Sequence, residues 1–464
     1  MQQPSKIADY LEAVQQQIRW KKAQPPVLEE INNHITDQKN AFIRDGFNEE
    51  EATNKAIAEM GDPIVVGEQL DRTHRPRPDW PLLVMVAILL LLGLAIQIVI
   101  GPNNFTNGDE MVQKQIRWAG ISILVMFAAY FLDFTIIGKY PKVAYFALCA
   151  FTVASYLITG GNRGTSTIYL LLLFPTAFAG LVYSVGSKGY RGLILCGIAF
   201  IIPAYLSMLV PNVTILFLIC TSYLTILTVA VEKGWFNVRK RFAILTMYSS
   251  TAAVLSTLFV MKMGDGYFMK RMQIIFNPSL DPTGTGYIGS MIQRLLAHSQ
   301  FIGEGLPIRG YGEYSGLTLL PAVNSDFLLT YLIYRFGWIV LIGIIVIFAV
   351  FITRAILLCK KQKGILGFLV SLAIISTFAV QCMVFIAFDL GLLLLSPVSL
   401  PFLSYGGRAL VTNMFLIGLL LSVFRTGNLV GDKAGAGVAV AKSSHFLQYD
   451  NGKIIINLKA HFIK

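Results

Sequence analysis

Carboxylates are scarce through most of this chain, and those able to do chemistry are concentrated in one stretch. After residue 79 the sequence holds 28 basic and only 12 acidic residues, and five of these acids fall between residues 263 and 326. The five are Asp265, Asp281, Glu304, Glu313 and Asp326. Because a carboxylate within hydrogen-bond reach of a hydroxyl can accept its proton, acid–base chemistry is expected here.

The last of these acids, Asp326, has two interpretations from the residues alone. Asn324, Ser325 and Asp326 precede an apolar run, and such residues often cap a helix by accepting a backbone hydrogen bond. Asp326 could equally be a general base, and the spacing leaves both roles open. For Asp281 and Glu304 the choice is between a substrate contact and a structural role in the loop.

A second cluster, residues 389–408, is rich in Gly and Pro and ends in a polar, glycine-containing run. This run is Ser404, Tyr405, Gly406, Gly407 and Arg408. Pro397 and Pro401 interrupt helical hydrogen bonding, so we expect a bent or re-entrant segment at membrane depth. Non-helical backbone is tolerated there only inside protein or beside a water-filled cavity, which predicts a cavity.

Four basic side chains lie near these clusters: Lys270, Arg271, Arg309 and Arg408. They are available to stabilise negative charge on a leaving group, while Arg408 can instead anchor its helix at the membrane interface. The five cysteines show no CxxC spacing, so they indicate neither a zinc site nor a disulfide framework. No cofactor motif is evident in the sequence.

The elements that must position these residues are membrane helices. Hydrophobic residues make up 55% of the chain, charged residues make up 14%, and the mean hydropathy is +0.62, which excludes a soluble globule. Runs of about 20 apolar residues predict ten spans. They lie near 81–100, 118–137, 143–159, 168–185, 192–210, 213–231, 242–262, 327–351, 366–388 and 408–424.

Basic residues predict how the spans are oriented. The links 138–142, 186–191, 232–241 and 352–365 hold twelve Lys or Arg, against three in the short links on the other side. By the positive-inside rule, both termini are expected in the cytosol. The long link 263–326 then lies outside, and its apolar and aromatic residues predict an ordered loop. Because Lys and Arg serve this purpose, the net charge of +12 does not indicate nucleic-acid binding.

Residues 1–79 differ from the rest, because their 10 basic and 14 acidic residues predict a water-soluble head. Apolar residues recur with helical spacing in two stretches, and Asn48 begins a third helix that Gly61-Asp62-Pro63 ends. We therefore expect a bundle of three helices in the cytosol, with a docking or regulatory role and a cytosolic partner. The tail, 426–464, is expected to be a short cytosolic extension, flexible around Ala434-Gly-Ala-Gly-Val-Ala-Val-Ala441.

Three motifs resemble one known family. Phe402-Leu-Ser-Tyr-Gly-Gly407, followed by Asn413-Met414, is similar to the C-terminal signature of the SEDS family, the FtsW, RodA and SpoVE proteins. Asn277-Pro-Ser-Leu-Asp-Pro282 resembles the family's outer loop, and Leu320-Pro-Ala-Val-Asn-Ser-Asp-Phe327 resembles the segment carrying its essential Asp. The resemblance covers residues 80–425 and keeps the family's motif order.

The resemblance implies an all-α polytopic membrane fold with ten transmembrane helices, a long outer loop between spans 7 and 8, and a small helical bundle in front. It implies a glycosyltransferase that polymerises lipid II, the undecaprenyl-diphosphate-linked disaccharide peptide, outside the bacterial cytoplasmic membrane. Asp326 is then the catalytic residue. The other polar and basic residues become candidate substrate contacts, and the departing diphosphate implies help from them or from Mg²⁺ or Mn²⁺.

The resemblance also implies a partner, a single-span class B penicillin-binding transpeptidase, and a role in growth, division or sporulation. The head stretch 46–63 resembles a helical module of Gram-positive proteins, which implies that source. Departures from the family pattern keep two other functions open. Ala322 and Asn324-Ser325 stand near Asp326 where the family has Glu and His-Thr, which suits a non-catalytic scaffold. Many spans with a broken helix also suit a lipid-linked precursor flippase.

Overall fold

The computed structural model describes most of the chain. The described residues are 6–21, 23–74, 78–105, 107–159, 165–210, 212–263, 286–308, 320–392, 398–427, 447–450 and 453–456, with eight more between 266 and 284. The chain divides into two compact units, one formed by Met1–His74 with Leu429–Lys464 and the other by Arg75–Asn428. Each unit has its own packing, and each is described by itself below.

The first unit contains a small helical bundle. Its helices are α1 (Lys6–Gln17), α2 (Gln24–Arg44), α3 (Glu49–Met60) and α4 (Pro63–His74). Apolar residues at helical spacing meet in a core of Tyr10, Val14, Ile18, Ala23, Val27, Ile31, Ile35 and Ala56. Helix α3 begins as predicted, because the Asn48 side chain accepts a hydrogen bond of 2.8 Å from the amide of Glu51.

The sequence prediction of three helices was wrong by one. Gly61-Asp62-Pro63 ends α3, but it also starts α4. The Asp62 carboxylate accepts hydrogen bonds from the amides of Ile64 (2.7 Å) and Val65 (3.3 Å), and Pro63 occupies the first helical position, where its missing N–H is harmless. The tail likewise holds a two-stranded antiparallel hairpin, in which Leu447–Asp450 pairs with Lys453–Ile456. Residues 434–441 lie outside the described residues.

The second unit is the membrane body. Its helices are α5 (Trp80–Asn104), α6 (Gly108–Phe131), α7 (Thr135–Lys139), α8 (Pro141–Ile158), α9 (Thr165–Leu171), α10 (Phe174–Val185), α11 (Tyr190–Leu209), α12 (Val213–Glu232), α13 (Lys240–Met263), α14 (Tyr287–Ala297), α15 (Leu328–Phe336), α16 (Ile339–Lys360), α17 (Ile365–Asp389) and α18 (Gly407–Thr426). One 3₁₀ turn, Gly186–Lys188, follows α10. Helix α17 is the most enclosed of the helices long and apolar enough to cross a membrane, and it packs against α10, α12, α16 and α18.

Eight segments of the described chain are long and apolar enough to cross a membrane. They are Trp80–Pro102, Pro141–Ile158, Thr167–Lys188, Tyr190–Leu209, Val213–Glu232, Ile339–Lys360, Ile365–Asp389 and Gly407–Thr426. The chain is therefore a polytopic helical membrane protein. Two further predicted spans correspond to α6 and α13, which have 24 residues each but more polar composition. The predicted number of ten is thus not reached by this measure.

The eighth predicted span, near 327–351, is displaced and broken in the structure. Helix α15 ends at Phe336, Gly337 turns the chain with φ +98°, and α16 then runs from Ile339 to Lys360. The amides of Gly303 and Gly305 donate to the carbonyls of Phe336 (3.1 Å) and Tyr334 (2.7 Å), so the preceding loop satisfies the end of α15. Most of the predicted link 352–365 accordingly lies inside α16.

Close backbone approach holds the helices around the second cluster. A Cβ atom placed on Gly418 of α18 would lie 2.2 Å from the carbonyl oxygen of Met126 in α6, and one on Gly93 of α5 would lie 2.2 Å from the carbonyl oxygen of Phe402. Small residues permit such contacts between membrane helices. Helix α5 therefore packs directly on residues 398–406, and α18 packs closely on α6.

Candidate active site

Asp326 lies in a tight turn, residues 320–327, that leads into α15. The carbonyl oxygen of Ala322 accepts hydrogen bonds from the amides of Ser325 (3.0 Å), Asp326 (3.0 Å) and Phe327 (3.3 Å). Ala322 itself has φ +50°, an uncommon conformation for a residue with a side chain. This turn fixes the backbone of Asp326, whose side chain is half-buried.

The predicted Gly/Pro cluster braces the Asp326 turn directly. The Ser404 hydroxyl donates to the carbonyl of Ser325 (3.0 Å) and accepts from the amide of Leu400 (2.9 Å). The amide of Tyr405 donates to the carbonyl of Asn324 (2.8 Å). Two segments about 80 residues apart are therefore joined at the two residues that immediately precede Asp326. As predicted, residues 398–406 are not helical, whereas Pro397 lies outside the described residues.

Two buried glutamines complete this frame, and neither belongs to a motif that predicts a site. The Gln97 amide of α5 donates to the carbonyls of Asn324 (3.1 Å) and Leu403 (3.2 Å). The Gln115 side chain of α6 accepts from the amide of Gly406 (3.2 Å). A polar residue inside an apolar run is costly in lipid, so Gln97 within the span 81–100 was an available signal, whereas Gln115 precedes the span 118–137 and gave none.

Asp389 was also missed as a site residue. It ends α17 and is fully buried, and its Oδ2 atom accepts from the amides of Leu329 (2.6 Å) and Thr330 (3.2 Å). The Thr330 hydroxyl donates in return to the Asp389 carbonyl (2.8 Å). Asp389 therefore caps the first turn of α15, which is the structural role that the residues alone had left open for Asp326.

The environment of Asp326 suits a proton acceptor. Burial raises the pKa of its carboxyl above the ordinary value, and a hydrogen bond with Ser325 partly offsets that effect. Tyr169, in α9, lies where the charges of both Asp326 and Arg408 act on it, so these two predicted site residues share one region. Arg408 is exposed in the first turn of α18, and Gly407 beside it lies under the Trp118 ring.

Other predicted contacts are engaged elsewhere. Glu304 forms an ion pair with Arg335, near the opposite end of α15 from Asp326. With a helical rise of about 1.5 Å per residue, that is roughly 13 Å along α15. The Asp281 carboxylate accepts from the amide of Gly284 (3.0 Å), which is a local turn. Both acids thus have structural partners, as one of their two interpretations required.

The remaining predicted contacts are less defined. Lys270 is exposed. The other basic and acidic candidates of the loop lie outside the described residues: Arg271, Arg309, Asp265 and Glu313. Among the residues that the structure describes, no three His, Cys, Asp or Glu side chains assemble into a metal-binding group.

Known proteins resemble this chain across the whole membrane body. It is 26% identical over 375 residues to stage V sporulation protein E of Bacillus subtilis, covering 76% of this chain and 98% of that protein. It is 33% identical over 157 residues to a probable peptidoglycan glycosyltransferase FtsW of Trichlorobacter lovleyi, where the match covers 34% of this chain and 40% of that protein. The chain thus matches less than half the length of this FtsW relative.

A solved structure has the same fold. It comes from work on the structural coordination of polymerization and crosslinking by a peptidoglycan synthase complex, and it superposes with a TM-score of 0.59 at 18% identity, covering 75% of this chain and 98% of that one. The family model described as cell cycle protein, FtsW/RodA/SpoVE, matches residues 80–428, which is the entire membrane body. The chain therefore belongs to the FtsW/RodA/SpoVE family of cell cycle proteins.

Proposed function

We propose that this protein is a peptidoglycan glycosyltransferase that polymerises lipid II into glycan strands, with Asp326 as its general base. Family membership over residues 80–428 and the name of the FtsW relative support the activity. One geometric observation carries the residue assignment. Asp326 is half-buried in a turn that is braced by residues 398–406 and by Gln97, while Asp389 provides the helix cap.

The proposed reaction is a direct displacement. The 4-hydroxyl of an acceptor sugar attacks C1 of the donor sugar, the new C–O bond forms, and the bond from C1 to the lipid diphosphate breaks. Asp326 takes the hydroxyl proton, and the leaving diphosphate carries away the bonding electron pair. One such step turns an α-linked donor into a β-linked strand. Arg408 is the described cation best placed to meet the diphosphate, because its charge reaches the same region as Asp326.

The test is a polymerisation assay with purified protein and lipid II, with and without Mg²⁺ or Mn²⁺. Asp326→Asn keeps the side-chain volume but removes the proton acceptor, so we expect glycan strands to fall by about 100-fold or more. Asp109→Asn is the matched control, since Asp109 is an exposed acid in the first turn of α6 and should leave the rate unchanged.

The outcomes separate the proposal from the other functions. Equal polymerisation by wild type and Asp326→Asn would remove Asp326 from the mechanism. Movement of labelled lipid II across vesicles, without strand formation, would identify a flippase instead. Normal growth and normal wall synthesis in cells carrying Asp326→Ala would favour a scaffold.

We also propose the setting of this activity. The spans number ten when α6 and α13 are included, both termini lie in the cytosol, and the turn at Asp326 faces outward, as the distribution of Lys and Arg favours. The proposed partner is a single-span class B penicillin-binding transpeptidase, because strand extension supplies the substrate for cross-linking. Co-purification from membranes tests it, and recovery of the protein without any such transpeptidase would contradict it.

A further inference from the structure

Asp389 is an acid next to the Asp326 turn that has no role in the proposed reaction. Asp389 is fully buried at the end of a membrane span. Such a position disfavours a charged or polar side chain unless it is hydrogen-bonded. Its Oδ2 atom meets this condition with two amides of α15, those of Leu329 and Thr330. These amides come three and four residues after Asp326.

The contact between Asp389 and α15 is reciprocal, and it therefore fixes how the end of α17 lies against the start of α15. Thr330 returns a hydrogen bond from its hydroxyl to the Asp389 carbonyl at 2.8 Å. Beside it, the rings of Phe327 and Phe388 pack with centroids 5.5 Å apart. Three polar bonds and one ring contact thus join the last turn of α17 to the first turn of α15. A carboxylate at a helix N-terminus is also favoured by the helix dipole.

The Asp326 turn is attached to this junction. Residues 322–327 make one hydrogen-bonded turn, and α15 starts at the next residue. The segment 398–406 braces the turn from one side, and the Asp389 contact fixes it from the other. Asp389 accepts hydrogen bonds from the amides of Leu329 and Thr330, three and four residues after Asp326, so both acids belong to the same junction. Any shift in the first turn of α15 would move Asp326.

We propose that Asp389 is a positioning residue for Asp326, which holds the general base at its working position by capping α15 from α17. This inference rests on the proposed glycosyltransferase function. Asp389 touches no substrate in this scheme. It acts through the backbone of α15.

The experiment compares two substitutions of Asp389 in the full-length protein. Asp389→Leu removes the hydrogen-bond acceptor while keeping the branched shape and the number of side-chain heavy atoms, and we expect kcat to fall by about 100-fold with KM for lipid II unchanged, because a misplacement of about 1 Å has that effect. Asp389→Asn keeps an acceptor oxygen and should recover kcat to within about fivefold of wild type, since Asn and Asp cap helices equally well.

The matched control is Asp133→Asn. Asp133 also accepts a backbone hydrogen bond, from Thr135 at 3.1 Å, but at the start of α7. Its substitution should leave both kinetic parameters unchanged. A kcat of Asp389→Leu equal to wild type, or a loss that appears only as raised KM, would overturn the positioning role. So would an Asp389→Asn variant as inactive as Asp389→Leu although monodisperse.

A second measurement does not depend on activity. Hydrogen exchange of the α15 peptide, residues 328–336, should be about fivefold faster in Asp389→Leu than in wild type, because two amides lose their acceptor. Unchanged exchange would overturn the proposed capping of α15 by Asp389, even if the protein makes no glycan strands. If the wild type were inactive but Asp389→Leu still showed faster exchange, the proposed function would be contradicted. The Asp389 contact with α15 would then be structural only.

Discussion

Asp326 is held in surroundings that favour its neutral form, and that has a measurable consequence. Burial raises the pKa of its carboxyl above the ordinary value of 3.8. A general base works only when ionised, so activity should be full above this raised pKa and fall as the pH drops through it. We expect the acid limb of the kcat/KM profile, which reports the free enzyme, to lie at higher pH than an exposed Asp would give.

A substitution of Ser325 tests the hydrogen bond that opposes the effect of burial on the pKa of Asp326. The hydrogen bond from Ser325 lowers the pKa of Asp326, so Ser325→Ala should raise that pKa further and move the acid limb to higher pH. Ser184→Ala, which removes an exposed hydroxyl bonded only to its own helix, should leave the profile unchanged. An acid limb that stays in place in Ser325→Ala would contradict this account.

The residues that brace the Asp326 turn were harder to predict than the motif that contains Asp326. The motif containing Asp326 is local in sequence and could be recognised. Gln97 lies 227 residues from Asn324, whose carbonyl it binds, and Asp389 lies about 60 residues from the amides of Leu329 and Thr330. No spacing rule connects these residues. Glu304 and Arg335 show the same limit, because their ion pair depends on how a loop returns to α15.

At the scale of elements, close packing between α5 and the segment 398–406 makes a sharp prediction. Gly93→Ala would place a Cβ atom 2.2 Å from the carbonyl oxygen of Phe402. The segment must then move, and it carries Ser404, which braces Asp326. We expect a loss of about 1–3 kcal/mol of stability from overpacking, together with reduced kcat. Thermal unfolding in detergent and the polymerisation assay measure the two effects.

The control for this prediction is also a helical glycine. A Cβ atom placed on Gly120 of α6 would have no neighbouring atom within 4 Å, so Gly120→Ala should be tolerated or slightly stabilising. Equal unfolding temperatures for Gly93→Ala and Gly120→Ala would show that the contact between α5 and residues 398–406 is not tight.

Element boundaries show what hydropathy alone can predict. Apolar runs locate most membrane helices, because burial in lipid imposes a minimum length. They did not locate the break at Gly337, since both sides of it are apolar and the break depends on loop amides that satisfy the end of α15. In the head, Gly61-Asp62-Pro63 predicts only the end of α3, although Asp62 and Pro63 together also begin α4.

At the scale of the whole molecule, the distribution of Lys and Arg predicts the orientation of the spans, which hydropathy alone does not. The first half of helix α6 carries Asp109, Glu110, Lys114 and Arg117, and α6 is not among the eight most apolar spans. Arg354 belongs to the predicted link 352–365, but in the structure it lies within α16 and pairs with Asp79 at 2.7 Å. The excess of Lys and Arg on one side persists without it, so the proposed orientation does not depend on that residue.

Cysteine labelling tests this orientation, because all five native cysteines are buried and should react slowly. We expect Ala297→Cys, at the exposed end of α14, to react with a membrane-impermeant maleimide in intact bacterial cells freed of their outer layers. Asn32→Cys, exposed on α2, should react only after the membrane is permeabilised. Wild type serves as the blank for both. If Asn32→Cys reacted first, the basic links would lie outside, and the turn carrying Asp326 could not meet a substrate on the outer face.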